Sequence, residues 1–447
     1  MFRSIVFILA LSLGGSTMTR AFDLSDTTEF QTGNLRSILR TTKSYGDIVT
    51  MTISAKGGVL LSDRAGALDL LVSSLGKGTP SYSKEDIDRI LNETGAVFGI
   101  DAKVDSVDAS LKCLKKFLPK ILPLASELIR VPLLKNDEVE LVRKQMMAEL
   151  RAEQETPDGV MALLNHQSFF KGHPYLNRAN GFLDTIAGIK RDELVELLPK
   201  IFNQSNVLFS FVGDLSQAEV SQYLIQNFAS LPEGTSPALS LPEIQNETKE
   251  IAFQKLHSPA TYFMARFKAP GLTNEDYPAL AIASEILGNR LFEEVRTKRA
   301  LTYAVSANIG MSRSNTGVLY VSSTKLPEAV KVIFDEVKKM QTVPISAADL
   351  ENQVKKFISN WYLTREAPST QSAIFAMYEI QGLGWKASNT FIERVKACTP
   401  ETVRAAAEKY IRDFTVTEVG PSFIDLKDLV PGMLVAQEAP AATNAIQ

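Results

Sequence analysis

The run RLFEEVRTKRALTYAVSA, residues 290–307, changes its period part-way along. Leu291, Phe292 and Val295 fall at helical spacing, with charged residues between them. After Leu301 the pattern alternates, Tyr303, Val305 and Ala307 on one side and Thr302, Ala304 and Ser306 on the other. A shift from a period of 3.6 to a period of 2 predicts a helix handing over to a strand. Arg296 falls in the last turns of that helix and Tyr303 at the start of the strand. The turn between them is expected to aim both polar tips at one point. Arginine keeps its charge and offers a fork of donors for a carbonyl or carboxylate. A tyrosine hydroxyl can donate to an oxyanion developing at a carbonyl.

Working outward, the chain has 447 residues, too many for one ordinary core. Hydrophobic residues are 45% and charged residues 22%, a globular balance. The formal net charge of -3 gives no reason to expect a nucleic-acid partner. Cys113 and Cys398 lie far apart in apolar helical surroundings and read as buried free thiols, with a single bridge between the halves left open. Arg3 precedes an apolar run, Ile5 to Leu13, and Thr19 and Ala21 suit a cleavage point. Residues 1–21 are therefore expected to be a signal peptide, too short to anchor the chain in a bilayer, directing export to the periplasm or beyond.

Past residue 22, Val49 to Ser54 alternates as a half-buried strand. Ala65 to Leu75 is an apolar helix, Ser83 with Asp86 opens another, and Ala96 to Val107 has strand composition. Leu111 to Ile129 is expected to be helical, broken at Pro119 and Pro123. Asp137 to Glu155 is a long charged helix, and Val207 to Val212 a buried strand. Residues 230–249 are rich in Pro, Ser, Glu and Thr without apolar period, the composition of a linker. Beyond it the order repeats. Ala67-Leu68 and Leu75-Gly76 match Ala279-Leu280 and Leu287-Gly288, and Val212-Gly213 matches Val419-Gly420 at nearly the same offset. Thr399-Pro400-Glu401 gives a helix start with Pro at the first position. The expectation is an α+β chain of two homologous, duplicated domains, 22–229 and 250–430, each a mostly antiparallel sheet with helices on one side. Residues 431–447 form an expected disordered tail.

With these landmarks the mature chain resembles the pitrilysin/insulinase family of zinc peptidases, the inverzincins, in the two-domain form of the mitochondrial processing peptidase subunits. Arg296 to Tyr303 matches the family's C-terminal Arg/Tyr pair at the same spacing. Gly66 to Thr79, Gly172-His173-Pro174 and Val212-Gly213-Asp214 match other landmarks. Active members carry His-x-x-Glu-His on the first helix, two zinc ligands and a general base. Here those places hold Asp69, Val72 and Ser73, and the distal ligand position holds Glu149. Glu149 also sits among charged residues as an ordinary surface carboxylate would.

Three histidines are present, His166, His173 and His257, and no two form an i, i+4 pair. No Gly-x-Ser-x-Gly elbow or phosphate-binding glycine loop appears. The resemblance implies a chain that binds no zinc itself and completes its site in trans. A homologous His-x-x-Glu-His subunit would bring the zinc, and a peptide or unfolded segment would be the substrate. The alternative is a catalytically inactive peptide-binding or scaffold subunit.

Overall fold

The computed structural model describes residues 24–238, 240–245, 250–433 and 437–438. The expected signal segment 1–21 and the end of the expected tail lie outside the described residues. Two six-stranded sheets organise the chain. The first half supplies β1 (Thr27–Thr32), β2 (Leu35–Thr41), β3 (Ile48–Lys56), β4 (Val97–Ala102), β5 (Ser106–Leu114) and β6 (Val207–Gly213), in spatial order β1-β2-β6-β3-β5-β4. The second supplies β7 (Ala252–Lys255), β8 (Thr261–Lys268), β9 (Ala304–Ile309), β10 (Thr316–Ser323), β11 (Thr415–Gly420) and β12 (Gln437–Glu438), in order β12-β7-β11-β8-β10-β9. β2 through β6 correspond one to one with β7 through β11, and in both halves the pair at the crossover is parallel (β2 with β6, β7 with β11). The outermost strand breaks the repeat. It comes from the N-terminal end in one half and the C-terminal end in the other.

The first half carries α1 (Ala67–Leu75), α2 (Lys84–Thr94), α3 (Leu118–Arg130), α4 (Asn136–Glu155), α5 (Pro157–Phe169), α6 (Leu183–Ala187), α7 (Arg191–Ile201) and α8 (Gln217–Asn227). The second carries α9 (Tyr277–Leu291), α10 (Leu326–Thr342), α11 (Ala347–Leu363), α12 (Pro368–Ile380), α13 (Ala387–Lys396) and α14 (Pro400–Tyr410). Side-chain caps open three of these helices. Ser83, Ser216 and Thr399 accept from Asp86, Glu219 and Thr402 N–H at 3.1, 3.2 and 3.2 Å, each worth about 1 kcal/mol.

The α+β architecture expected from the repeat is present, with a difference on the far face of each sheet. One helix covers that face, and it comes from the opposite half. α12 lies across β3, β5 and β6, and α5 lies across β7, β8 and β11. Arg40 Nη1 donates to Gln371 Oε1 at 2.5 Å, and Thr52 and Ser372 hydroxyls bond at 2.8 Å. Reciprocally, Asn165 Nδ2 donates to Thr415 O at 3.2 Å and Thr417 Oγ1 at 3.1 Å, and Arg266 Nε donates to Asn165 Oδ1 at 2.7 Å. The strand predicted to be half-buried is therefore buried throughout. Val49, Met51 and Ile53 face their own helices, and α12 covers Thr50 and Thr52.

A second correction falls between residues 96 and 129. Ala96 to Val107 is not one strand, and Leu111 does not begin a helix. β4 and β5 form an antiparallel hairpin in which Val107, Ala109, Leu111 and Cys113 alternate inward. The helix starts only at Leu118, and Pro119 sits in its first turn, where no N–H is required. Residues 231–238 and 240–245 have no regular secondary structure, although Leu231 and Ile244 are buried. Cys113 and Cys398 are both free thiols.

Candidate functional site

In the first half, α1 brings the positions of interest against α4. Gly66 opens α1 at φ 87°, and a Cβ there would stand 2.6 Å from Ile186 Cδ1. Gly181 approaches the same point, so two glycines let the loop before α6 press onto the start of α1. Asp69 and Glu149 then line one cavity of about 160 Å³ with Met146, Leu150, Glu153 and Asn180. Burial raises the Asp69 carboxyl above its ordinary range, and the negative charges of Glu149 and Asp101 raise it further. Glu153 is committed to Arg178, whose Nη2 reaches both carboxylate oxygens at 2.8 and 3.0 Å.

Zinc does not fit this donor set. Val72 is 5% exposed and belongs to the apolar core, where it offers neither ligand nor base. Ser73 is exposed on α1 and presents a neutral hydroxyl, a poor zinc ligand. Two mutually repelling carboxylates remain. Among the described residues no group of three or more His, Cys, Asp or Glu could hold a metal ion.

His166 and His173 are tied into the fold. His166 Nε2 lies 3.2 Å from Leu176 O, and burial pushes the ring down to about 4. His173 Nδ1 accepts from Tyr175 N–H at 3.0 Å, and its Nε2 lies 3.2 Å from Pro242 O and from Ser314 Oγ. This resembles a Ser–His dyad, but the bonding pattern assigns the proton to Nε2. A protonated Nε2 cannot take a proton from Ser314. His257 is exposed after β7.

In the second half the predicted corner forms with an extra device. α9 does not end cleanly. It passes into a π-helical turn, Phe292–Thr297, in which Lys298 N–H donates to Glu293 O at 2.9 Å. Leu301 N–H then reaches back to Val295 O at 3.0 Å, and Ala300 takes the left-handed conformation at φ 50°. The strand begins at Ala304, one residue after Tyr303. Ser323 Oγ donates to Leu301 O and Thr302 Oγ1 donates to Ser322 O, both at 2.5 Å, so β10 fixes the backbone just before Tyr303. Tyr303 is 83% exposed. The Arg296 guanidinium lies 4.7 Å from its centroid. The structure thus brings Arg296 and Tyr303 together as a stacked pair.

The more buried acid of the turn, Glu294, is engaged by other cations. Glu294 binds Lys298 at 2.7 Å and Arg299 at 2.6 Å, which hold its carboxyl down at about 2. Chemically the stacked pair can bind, orient and polarise a carbonyl or carboxylate; neither member can activate water.

The family model for the peptidase M16 inactive domain matches residues 188–357, a span that includes Arg296 and Tyr303 and excludes Asp69 to Glu149. That segment of the chain is similar to the peptidase M16 inactive domain. A non-peptidase homolog of Helicobacter pylori, YmxG, is 22% identical over 354 residues, 77% of this chain and 82% of that protein. The zinc protease PqqE of the same organism is 24% identical over 381 residues, 77% of this chain and 84% of that protein. The crystal structure of a peptidase M16 inactive domain from Pseudomonas fluorescens has the same fold, with a TM-score of 0.83 over 90% of this chain and 99% of that one at 20% identity. The matched M16 segment starts at α7 and ends within α11, so it takes in β6 of the first sheet and β7 to β10 of the second.

One group at the seam between the halves escapes a reading of the sequence. Asp105, 6% exposed, accepts from Tyr175 O–H, from Arg313 N–H at 3.0 Å and from Gln381 Nε2 at 3.1 Å. It ties the β4–β5 turn to the β9–β10 turn and to the end of α12. Nothing in its sequence neighbourhood distinguishes it from any turn aspartate, because its partners are distant in the chain.

Proposed function

We propose that this chain is the non-zinc subunit of a two-chain M16 metallopeptidase that degrades or processes peptides. It supplies Arg296 and Tyr303 for substrate binding and transition-state stabilisation, opposite a zinc site carried by a homologous His-x-x-Glu-His subunit. The observation that carries this reading is the coexistence, in one chain, of a half-buried Arg296 set against an exposed Tyr303 with a first helix unable to bind zinc. An exposed tyrosine stacked on a cation adds little to its own core. The apolar run Ile5 to Leu13 supports a place outside the inner membrane, and among the described residues no helix is long and apolar enough to cross a bilayer. Sequencing the N-terminus of the mature chain tests export, with cleavage expected near Phe22.

The test of function is reconstitution with the zinc-bearing M16 chain of the same cell. Peptide hydrolysis should need both chains. Arg296→Ala and Tyr303→Phe should each lower kcat/KM about a hundredfold with assembly intact, the usual loss for a preorganised donor. Full zinc-dependent hydrolysis by the isolated chain would refute the proposal. The second reading, a peptide-binding or scaffold subunit, is favoured by the similarity to a non-peptidase homolog. Unchanged turnover in both variants would establish it.

A further inference from the structure

Arg296 has two aromatic neighbours. Its guanidinium lies 4.7 Å from the centroid of Tyr303 and also 4.7 Å from the centroid of Phe292, at the start of the π-helical turn. Phe292 is 48% exposed, so core packing accounts for only part of its placement. Val295, in the same turn, is fully buried and anchors the segment to the core.

Two cations in this segment are held by an acid. Lys298 and Arg299 share Glu294, and Arg299 Nη1 also donates to Glu294 O at 2.8 Å. Among the described residues Arg296 makes no salt bridge within 4.0 Å. Ring faces hold its charge instead. A cation on a ring face is attracted by the quadrupole without using its N–H donors. A carboxylate would hold the same charge by consuming those donors. The two placements therefore differ in what they leave for a ligand.

We propose that Phe292 is a positioning residue for Arg296: it and Tyr303 clamp the guanidinium between two rings, fixing its plane while leaving its N–H edge available to a substrate carbonyl or carboxylate. The inference rests on the role proposed above for Arg296. The π-helical turn and the left-handed Ala300 supply the backbone path that returns Tyr303 to the guanidinium. Without Phe292 the guanidinium keeps one ring and gains freedom to swing toward Glu293 or solvent.

Two measurements test it. In the isolated chain, the Arg296 side-chain protons should carry ring-current shifts, and Phe292→Leu should move them while Phe292→Trp preserves a shift. In the reconstituted complex, Phe292→Leu should lower kcat/KM about two- to fivefold, the size of an exposed cation–π contact. Phe292→Trp should restore it, and Phe292→Leu should have no further effect when Arg296→Ala is already present. Unmoved proton shifts in Phe292→Leu, or a loss of activity that adds fully to that of Arg296→Ala, would overturn the clamp and leave the catalytic reading standing. If Arg296→Ala itself leaves turnover unchanged, both fall, whatever the proton shifts show.

Discussion

α1 and α9 hold equivalent places in the two halves, and they have been put to opposite uses. α1 is short, opens on a pair of close-packed glycines and buries Val72 where active zinc peptidases of the resembling type carry a base. α9 is longer and runs on into a π-helical turn that sets a half-buried Arg296 against an exposed Tyr303. The first helix packs into its own core and presents no set of zinc donors. The second stores its irregularity, the π-turn and the left-handed Ala300, at the point where polar groups meet solvent, which is where such irregularity tends to serve function. A shared fold therefore does not decide which half carries chemistry; a few side chains on one helix do.

The largest expected effect tests the first half of that contrast. Asp69→His with Ser73→His places two imidazoles at i, i+4 on α1, the first of them in the cavity that Glu149 lines. Metal analysis should then find one zinc per chain, where the unaltered chain retains none after dialysis. Absence of zinc in the double variant would mean that α1 and α4 no longer present a ligand face at all.

The next concerns a strand position that the duplication makes comparable. Aligning Val212-Gly213 with Val419-Gly420 sets Phe211 of β6 against Glu418 of β11. Both are fully buried. Glu418 Oε1 accepts from Ile424 N–H at 2.9 Å, and burial pushes its carboxyl up to about 8 from an ordinary 4.5. The folded state therefore binds the proton more tightly than the unfolded chain does. Stability from this group is full below about pH 4.5 and is lost as pH rises to about 8, at up to about 1.4 kcal/mol per pH unit within that window. Glu418→Gln should flatten that dependence in urea unfolding measured from pH 5 to 8; an unchanged slope would assign it elsewhere.

Much of this was legible in the sequence. The period change after Leu301 located the Arg296–Tyr303 corner, because helix and strand periods differ enough to survive in a single sequence. The matched pairs around Ala67 and Ala279 gave the duplication. What the sequence hid depends on distant partners. Thr50 and Thr52 look like the wet side of a strand, and nothing near them shows that α12 covers them. Asp105 looks like a turn residue because Arg313 and Gln381 are remote. The boundary between β5 and α3 was misplaced because Leu111, Leu114 and Leu118 fall at helical spacing while Leu111 and Cys113 fall at strand spacing. The helix-exchanged arrangement is thus a property of pairs, and single-residue patterns do not carry it.

The seam between the halves yields a smaller effect. Asp105→Ala removes one acceptor shared by three donors, and should cost about 3 kcal/mol in equilibrium unfolding. Unfolding should stay a single transition if the exchanged helices alone keep the halves coupled; two separated transitions would show that Asp105 is what couples them. Smallest of all, Ala300→Gly relieves a left-handed alanine and should stabilise the chain by about 1 kcal/mol. No gain in melting temperature would mean that the turn is set wholly by its hydrogen bonds.

The exchanged helices also make the order of synthesis matter. α5 leaves the ribosome before any strand of the sheet it covers, so the second sheet forms onto a surface already present. The first sheet has the reverse history. Its strands are complete at Gly213, but its cover, residues 368–380, emerges on the order of ten seconds later at ordinary translation rates. The face left waiting is built to tolerate water. Beside the aliphatic Ile38, Leu208 and Val212 it carries Arg40, Thr50, Thr52 and Ser210, side chains that hydrate readily until α12 arrives to replace the solvent.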